Sequence, residues 1–434
     1  MNGLRARRAA FAGAGHGLAL AAGALGLRLA ISSLHAQWHR LALLRAHGLG
    51  FADPSCTTGF CDYPMFWLAG WFARHGEAAT LYDPVRYAVA AARVYPDKSG
   101  YLPFLYPPTM LPIVIAMSHL PLVAGYFAFV AFSVLAAAAL LRRAGVGWPA
   151  IALGLLSPVA MWNLYLGQFG MLCGALAFYG LALLPDRPLR AGAALGLLCI
   201  KPQYALLAPF AVLAGRHWRA MAPGLAVGVL LSLLSLAMAG PSAWSGFLGP
   251  ARAEIAAIVA APFGQNAAVG GTSVFWMLRS LHAPLWAASD VQALAALGAI
   301  ATCWRLWSRP AAPLRRAALT VLLGYFMSPY GYNDDLTIYS VILAALLRRE
   351  TPWRNAAIAW VWLLPAYMPD FCLGGGFLAT PLLVVAALVL VATDDYALRS
   401  RKSPCSPNRL ASARERRQGA LAPASSAASQ RSTL

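Results

Sequence analysis

Four charged residues stand out in a sequence that is otherwise strongly apolar, and each fits more than one role. Asp62 precedes an aromatic segment, so its carboxylate is either a proton acceptor in catalysis or the cap of a helix that begins there. Lys201 lies in an apolar run directly before Pro202, which predicts either an anion site at a helix break or a lysine that reaches out to water. Asp334 and Asp335 form either a carboxylate pair of raised pKa, a metal site or a solvated loop end.

Uncharged polar residues recur between the apolar runs. They are Asn163, Gln168, Gln203, Gln265, Asn266, Tyr330 and Asn333. A polar side chain is costly in hydrocarbon, so residues of this kind are kept near a water-lined cavity or a polar ligand. Because they come from separate apolar segments, we expect them to converge with the charged residues in one cavity.

The composition explains why polar residues are informative here. Of 434 residues, 60% are hydrophobic and 11% are charged, and the mean hydropathy is +0.61. Soluble chains carry roughly 25% charged residues. The composition therefore excludes a soluble enzyme, a disordered chain and a disulfide scaffold, and it predicts an all-α polytopic membrane protein.

The apolar runs predict about twelve transmembrane helices. Their approximate limits are 13–31, 121–141, 148–163, 169–184, 189–201, 203–215, 220–239, 285–304, 316–329, 336–347, 355–369 and 376–393. Residues 107–120 are expected to enter from the outer face without crossing. The predicted organisation is a cytoplasmic terminus (1–12), a transmembrane domain (13–396) with outer loops at 34–105 and 240–284, and a disordered basic cytoplasmic tail (397–434).

The charge of +19, from 34 Lys and Arg against 15 Asp and Glu, has a topological explanation. Basic residues occur at every second boundary between apolar runs, as the positive-inside rule requires when both termini are cytoplasmic. No basic face with interleaved aromatic residues occurs, so we expect no nucleic acid partner.

The basic tail either rests on anionic lipid or is an inert hydrophilic end. The first apolar run continues to about Ser33, which favours an uncleaved anchor over a signal peptide.

The first outer loop is expected to carry juxtamembrane helices at 63–75 and 84–95, with Asp83 as a turn or cap residue. Cys56 and Cys61 flank the segment before Asp62 and either form a disulfide or remain free thiols.

The sequence contains no Cys and His spacing typical of zinc, no phosphate-cradling glycine loop and no GxSxG motif. We therefore expect neither a metal nor another cofactor.

Five short motifs follow one another along the chain. They are Asp62 with its aromatic segment, LYDP at Leu81–Pro84, YPP at Tyr106–Pro108, GQ at Gly167–Gln168 and KP at Lys201–Pro202. In this order, over roughly residues 50–347, the sequence resembles glycosyltransferase family 87, the polyprenol-phosphate-mannose-dependent mannosyltransferases. Members of that family often carry His in the loop after SP, whereas this sequence has SPYGYNDD.

The resemblance implies an inverting membrane glycosyltransferase with a GT-C-like helix bundle. It would transfer a hexose, mannose in the family, from a polyprenyl-phosphate donor to an envelope glycan or glycolipid, at the outer face of the plasma membrane. The catalytic acid in the family's first outer loop matches Asp62. The residues expected to bind donor or substrate are Lys201, Gln168, Asn163, Tyr106, Tyr82, Gln265, Asn266, Tyr330, Asp334 and Asp335.

Two other functions use the same polar residues. A transporter or flippase of lipid-linked or polar solutes would line a passage with them, but the sequence shows no matching halves, and its polar features crowd one side. An enzyme that polymerises or ligates lipid-linked glycans would share the location of the site.

Overall fold

The computed structural model describes residues 13–29, 31–32, 35, 62–94, 102–264, 270–348 and 351–394. The chain divides into two units, Met1–Arg399 and Ser400–Leu434, and the second unit, which holds most of the predicted basic tail, lies outside the described residues. Cys56 and Cys61 lie outside them too. Within the described ranges the regular structure is helical, and one isolated β-bridge joins Gly271 to Tyr332.

Residues 13–29 are helical, and further α-helices are labelled here in chain order. They are α1 (Asp62–Arg74), α2 (Pro84–Val94), α3 (Leu111–Met117), α4 (Leu122–Ala144), α5 (Trp148–Leu155), α6 (Pro158–Leu166), α7 (Gly170–Leu183), α8 (Pro188–Gly196), α9 (Ala208–Ala214), α10 (Met221–Gly246), α11 (Arg252–Ala260), α12 (Val274–Ser280), α13 (Leu285–Trp307), α14 (Pro313–Gly324), α15 (Thr337–Ala345), α16 (Pro352–Leu363), α17 (Met368–Leu373) and α18 (Thr380–Ala392). Short 3₁₀ helices occupy Ala78–Thr80, Pro108–Met110, Leu197–Ile200, Pro202–Ala205, Trp218–Ala220, Asn333–Leu336 and Leu364–Tyr367, and a π-helical turn spans Phe247–Ala251.

Among the described residues, four helical segments are long and apolar enough to cross a membrane: Leu122–Ala144, Trp218–Ala260, Leu285–Trp307 and Pro352–Leu373. A fifth would be α5 and α6 taken together, which are bent by 59° at their junction. Other apolar helices, such as Pro188–Ile200 and Pro202–Ala214, are shorter. This is the architecture expected of a polytopic membrane protein, and the count of twelve spans stays a prediction.

Prolines break several of the predicted spans. The run from Pro188 to Ala214 is interrupted at Lys201, whose φ of −140° and ψ of 75° are not helical, because the residue before a proline is disfavoured in the α conformation. The long helix at Trp218–Ala260 contains Gly240 with a φ of 73°, a conformation suited to glycine, directly before Pro241. Helix breaks of this kind turn side chains and backbone groups inward at membrane depth.

Helix α1, which begins at Asp62 as predicted, is packed into the protein along most of its length. Nine of its thirteen residues are buried. Gly70 lies against the backbone of α3 so closely that a Cβ there would stand 1.9 Å from the carbonyl oxygen of Val114. Close backbone packing therefore fixes the helix that carries Asp62, and its juxtamembrane position stays a prediction.

The apolar interior forms one large core and a smaller one. The small core comprises Phe275, Trp276, Ala288, Met368 and Leu378. Gln292 of α13 holds this region together because its Oε1 accepts from the amide of Phe275 at 3.1 Å and its Nε2 donates to the carbonyl of Phe326 at 2.6 Å. The segment between α14 and α15, which carries Asp334 and Asp335, is anchored to the same region by the hydroxyl of Ser273, which donates to the carbonyl of Pro329 at 3.0 Å.

Candidate functional site

Gln168 is the centre of a buried hydrogen-bond network. It follows Gly167, whose positive φ of 72° ends α6. Its Nε2 donates to Oδ2 of Asp62 at 2.5 Å. Its Oε1 accepts from the hydroxyl of Tyr106 at 3.0 Å and from Nζ of Lys201 at 3.5 Å. One amide thus joins the start of α1, the YPP motif and the KP motif.

Lys201 is a buried cation with carboxylates beside it. The residue is 3% exposed. Its Nζ lies 2.6 Å from Oδ1 of Asp335 and 3.8 Å from Oδ2 of Asp334. The break between the two 3₁₀ helices at Lys201 and Pro202 directs the side chain to this point. The two acids that the sequence left as a pair, a metal site or a loop end are therefore partners of a lysine that precedes them by 133 and 134 residues.

Two tyrosines hold Asp335 in place. The hydroxyl of Tyr204 donates to Oδ1 of Asp335 at 2.7 Å, so this oxygen binds both Tyr204 and Lys201. The hydroxyl of Tyr325 donates to the backbone carbonyl of Asp335 at 3.0 Å. The sequence analysis missed both residues. Tyr204 lies one helical turn after Lys201 and could have been found from that spacing, whereas nothing in the sequence marks Tyr325.

Asn163 holds the backbone beneath the acidic pair. Its Nδ2 donates to the carbonyl oxygen of Asp334 at 2.9 Å, and the residue is fully buried. Gly170 at the start of α7 makes this contact sterically feasible, because a Cβ there would lie 2.5 Å from the same carbonyl oxygen. The residues Asp62, Gln168, Lys201, Asp334 and Asp335 form what we call the polar cluster, and Asn163 supports it from outside.

The polar cluster contains three carboxylates and one ammonium group. Burial, followed by the neighbouring Asp335 carboxylate, raises the pKa of Asp334 to about 8, and Lys201 opposes that shift. Asp334 therefore favours its protonated form at neutral pH, while Asp335 lies 2.6 Å from Nζ of Lys201. Burial also raises the pKa of Tyr330, which keeps its phenolic proton.

The remaining predicted residues lie in different surroundings. The hydroxyl of Tyr82 donates to the backbone carbonyl of Tyr106 at 2.9 Å, so Tyr82 supports the backbone of the YPP motif. Tyr330 lines a cavity beside Asp335. That cavity has a polar side formed by Gln203, Tyr204, Thr272 and Ser328 and an apolar side formed by Ala177, Leu181, Leu207 and Val321. Gln265 and Asn266 lie outside the described residues.

In the part of the chain that the structure describes, no group of three or more His, Cys, Asp or Glu side chains is arranged to hold a metal ion. Cys173, Cys199, Cys303 and Cys372 are free thiols.

Sequence comparison gives this geometry a biochemical context. No curated protein and no solved structure matches the chain. The profile of glycosyltransferase family 87 matches residues 104–329, which is more than half of the chain and includes Tyr106, Gln168 and Lys201. The resemblance inferred from the motifs is confirmed at the level of the family, and the many apolar helices fit a membrane enzyme. The chain belongs to glycosyltransferase family 87 and is a membrane glycosyltransferase.

Proposed function

We propose that this enzyme transfers a hexose, mannose by family resemblance, from a polyprenyl-phosphate donor to an envelope glycan or glycolipid, with inversion and with Asp62 as the general base. The observation that carries the proposal is the hydrogen bond from Gln168 to Oδ2 of Asp62, which holds this carboxylate at the edge of a buried polar network. Asp62 comes from the first outer loop of the predicted topology and Gln168 from the family-matched region.

The proposed step balances as a single displacement. A hydroxyl of the acceptor gives its proton to the Asp62 carboxylate as its oxygen forms a bond to C1 of the donor sugar. The bond between C1 and the phosphate oxygen breaks, and polyprenyl phosphate leaves with the electron pair. Attack from the face opposite the phosphate inverts the anomeric centre. General-base assistance of this kind contributes about 10²- to 10⁴-fold to the rate.

The departing phosphate requires hydrogen-bond donors. Tyr330 and protonated Asp334 are the donors that we assign to it. The ammonium of Lys201 is paired with Asp335 at 2.6 Å, so we do not assign it to the phosphate. The cavity beside Asp335 adds apolar side chains next to these polar groups, a combination that suits a phosphate carried on a lipid.

The proposed orientation places the polar cluster at the outer face of the plasma membrane in a GT-C-like bundle of about twelve spans. Helix α14 begins near Arg315 and leads to Asp334, and α15 begins after Asp335 and leads to Arg348. Basic ends and the polar cluster therefore lie at opposite ends of these helices, and the positive-inside rule assigns the basic ends to the cytoplasm. Exposed tryptophans occur beside the basic ends, as in interfacial belts: Trp148, Trp218, Trp304 and Trp353.

The test uses purified protein in lipid vesicles with radiolabelled mannosyl phosphoprenol and an envelope lipid extract as acceptor. We expect label to appear in a new glycolipid or glycan with the wild type and to be lost with Asp62→Asn. The control is Asp83→Asn, because Asp83 accepts from the amides of Val85 and Arg86 as the cap of α2 and should not affect transfer.

Asp62→Asn with near wild-type transfer would refute the base assignment. Movement of label across the vesicle membrane without covalent transfer would support the transporter or flippase alternative instead.

A further inference from the structure

We infer that Lys201, together with Asp335, positions Gln168 and through it the Asp62 carboxylate, so that Lys201 is a positioning residue and not a ligand of the donor phosphate. This inference rests on the proposed function of Asp62. It departs from the expectation, drawn from the sequence, that the lysine binds the phosphate directly.

The first step concerns the orientation of the Gln168 amide. Its Oε1 faces two donors, the hydroxyl of Tyr106 at 3.0 Å and Nζ of Lys201 at 3.5 Å. An ammonium group has only donors, so a flipped amide would place N–H groups against N–H groups. Lys201 therefore keeps the amide oxygen on its own side, and the N–H of Gln168 must point to Asp62, where it donates at 2.5 Å.

The second step concerns the surroundings of Lys201. Its ammonium contacts Oδ1 of Asp335, Oε1 of Gln168 and, at 3.8 Å, Oδ2 of Asp334, and the residue is 3% exposed. A phosphate that approached this ammonium would meet two carboxyl groups on the way. The positive charge is therefore directed inward to Asp335 and Gln168, and little of it is left for a ligand.

The third step concerns what fixes Lys201. Asp335 binds it at 2.6 Å, and Tyr204 donates to the same Asp335 oxygen at 2.7 Å. The carbonyl of Lys201 accepts from the amide of Tyr204 at 3.2 Å, which closes the turn at Pro202. The chain of contacts from Tyr204 through Asp335, Lys201 and Gln168 thus ends at Oδ2 of Asp62.

The consequence is a defined ionisation of Asp62. A hydrogen bond to the charged form of a carboxylate favours that form and lowers its pKa. The titratable groups that interact electrostatically with Asp62 include Asp334, Tyr106 and Tyr330, and Lys201 contacts it through Gln168. Removing the Gln168 donor, or the lysine that orients it, should therefore move the acid limb of the pH–rate profile to higher pH.

The experiment measures kcat, the KM for mannosyl phosphoprenol and the pH–rate profile of Lys201→Met, Gln168→Leu and Tyr204→Phe in vesicles. We expect kcat to fall at least tenfold for the first two variants, the donor KM to stay within about twofold, and the acid limb to shift upward. Tyr204→Phe should give the same shift in weaker form. Ser133→Ala, which alters a buried hydroxyl of α4 away from the network, serves as the control and should match the wild type.

Two outcomes would overturn the inference. One is a donor KM raised tenfold or more in Lys201→Met with an unchanged acid limb, which is the behaviour of a phosphate ligand. The other is an unchanged acid limb in Gln168→Leu and Tyr204→Phe, which decides the question even if Lys201→Met does not fold. If Asp62→Asn remains active, the proposed function itself fails, so the two failures are distinguishable.

Discussion

Two ion clusters are built from similar groups at different places in the chain, and they differ in how completely their acids are paired. The arginine cluster consists of Arg348, Arg354 and Asp394. Each oxygen of Asp394 binds a different guanidinium, at 2.5 Å from Arg348 and 2.7 Å from Arg354. Arg354 also donates to the carbonyl of Leu390 at 3.0 Å. In the polar cluster, by contrast, one ammonium serves several acids, and Asp334 comes no closer to it than 3.8 Å.

This difference indicates that the arginine cluster stabilises the fold, whereas the polar cluster is suited to chemistry. In the arginine cluster two cations satisfy one acid, and its groups tie α16 and the end of α18 to the segment after α15. The polar cluster has an excess of acid, and desolvation keeps part of that acid protonated. A protonated acid in this cluster is a hydrogen-bond donor, as the proposed transfer requires. Substitutions in the two clusters should affect different properties.

The largest effect is expected from Asp62→Asn. Its kcat should fall by about 10²- to 10⁴-fold because the amide cannot accept the proton. The midpoint of thermal unfolding in detergent should stay unchanged, since the amide oxygen of Asn can still accept from Gln168. A large loss of thermal stability in this variant would contradict the division between the clusters.

Asp394→Ala should show the opposite behaviour. It leaves two guanidinium groups without their carboxylate, and the free energy of unfolding should fall by about 3 to 5 kcal/mol, as for other broken buried ion pairs. The transfer rate of the molecules that remain folded should be that of the wild type. Denaturant titration in mixed micelles measures the first quantity, with Asp370→Ala, an exposed acid of α17, as the control.

Asp334 predicts a pH dependence for the polar cluster that the arginine cluster should lack. Its pKa in the folded protein, about 8, is higher than the ordinary value near 3.8, so the folded state holds a proton that the unfolded state has lost. Stability should therefore fall as pH rises from 6 to 8, by up to about 1.4 kcal/mol per pH unit, and level off above that range. Unfolding midpoints measured across this range should flatten in Asp334→Asn. An equally steep slope in that variant would assign the effect to another group.

The smallest effect is expected from Asn355→Ala, at a residue that contacts Arg348 of the arginine cluster. Oδ1 of Asn355 accepts from the amide of Arg348 at 3.1 Å, and its Nδ2 donates to the carbonyl of the same residue. Loss of these hydrogen bonds should lower the free energy of unfolding by about 1 kcal/mol. Transfer activity should not change, and a substantial loss of activity would indicate that the two clusters are coupled.

The sequence predicted the convergence of the site but not its pairings. The cost of polar groups in hydrocarbon was sufficient to expect Asn163, Gln168 and Lys201 near one another. The partner of Lys201 could not be predicted, because Asp335 is 134 residues away and only the fold decides which acid reaches the ammonium.

Helix existence was easier to predict than helix extent. The start of α1 at Asp62 was predicted correctly from Asp and Pro in the first turn. Its burial was not, because the position of Gly70 against the backbone of α3 is a tertiary contact that leaves no pattern in the sequence.

Gln292 was missed because a polar residue inside an apolar run gives no sign of whether it bonds a ligand or, as here, two backbone groups of the same chain.

The backbone contact at Gly70 fixes α1 against α3. Gly70 lies eight residues after Asp62, a distance of about 12 Å along the helix axis at about 1.5 Å per residue. Because α1 packs against the peptide plane of Val114 with no side chain between them, this contact fixes the position of the Asp62 carboxylate at the other end of the helix. Adding even one methyl group there would force α1 away from α3 and shift the Asp62 carboxylate, so the position of the proposed base depends on an atom that Gly70 does not have.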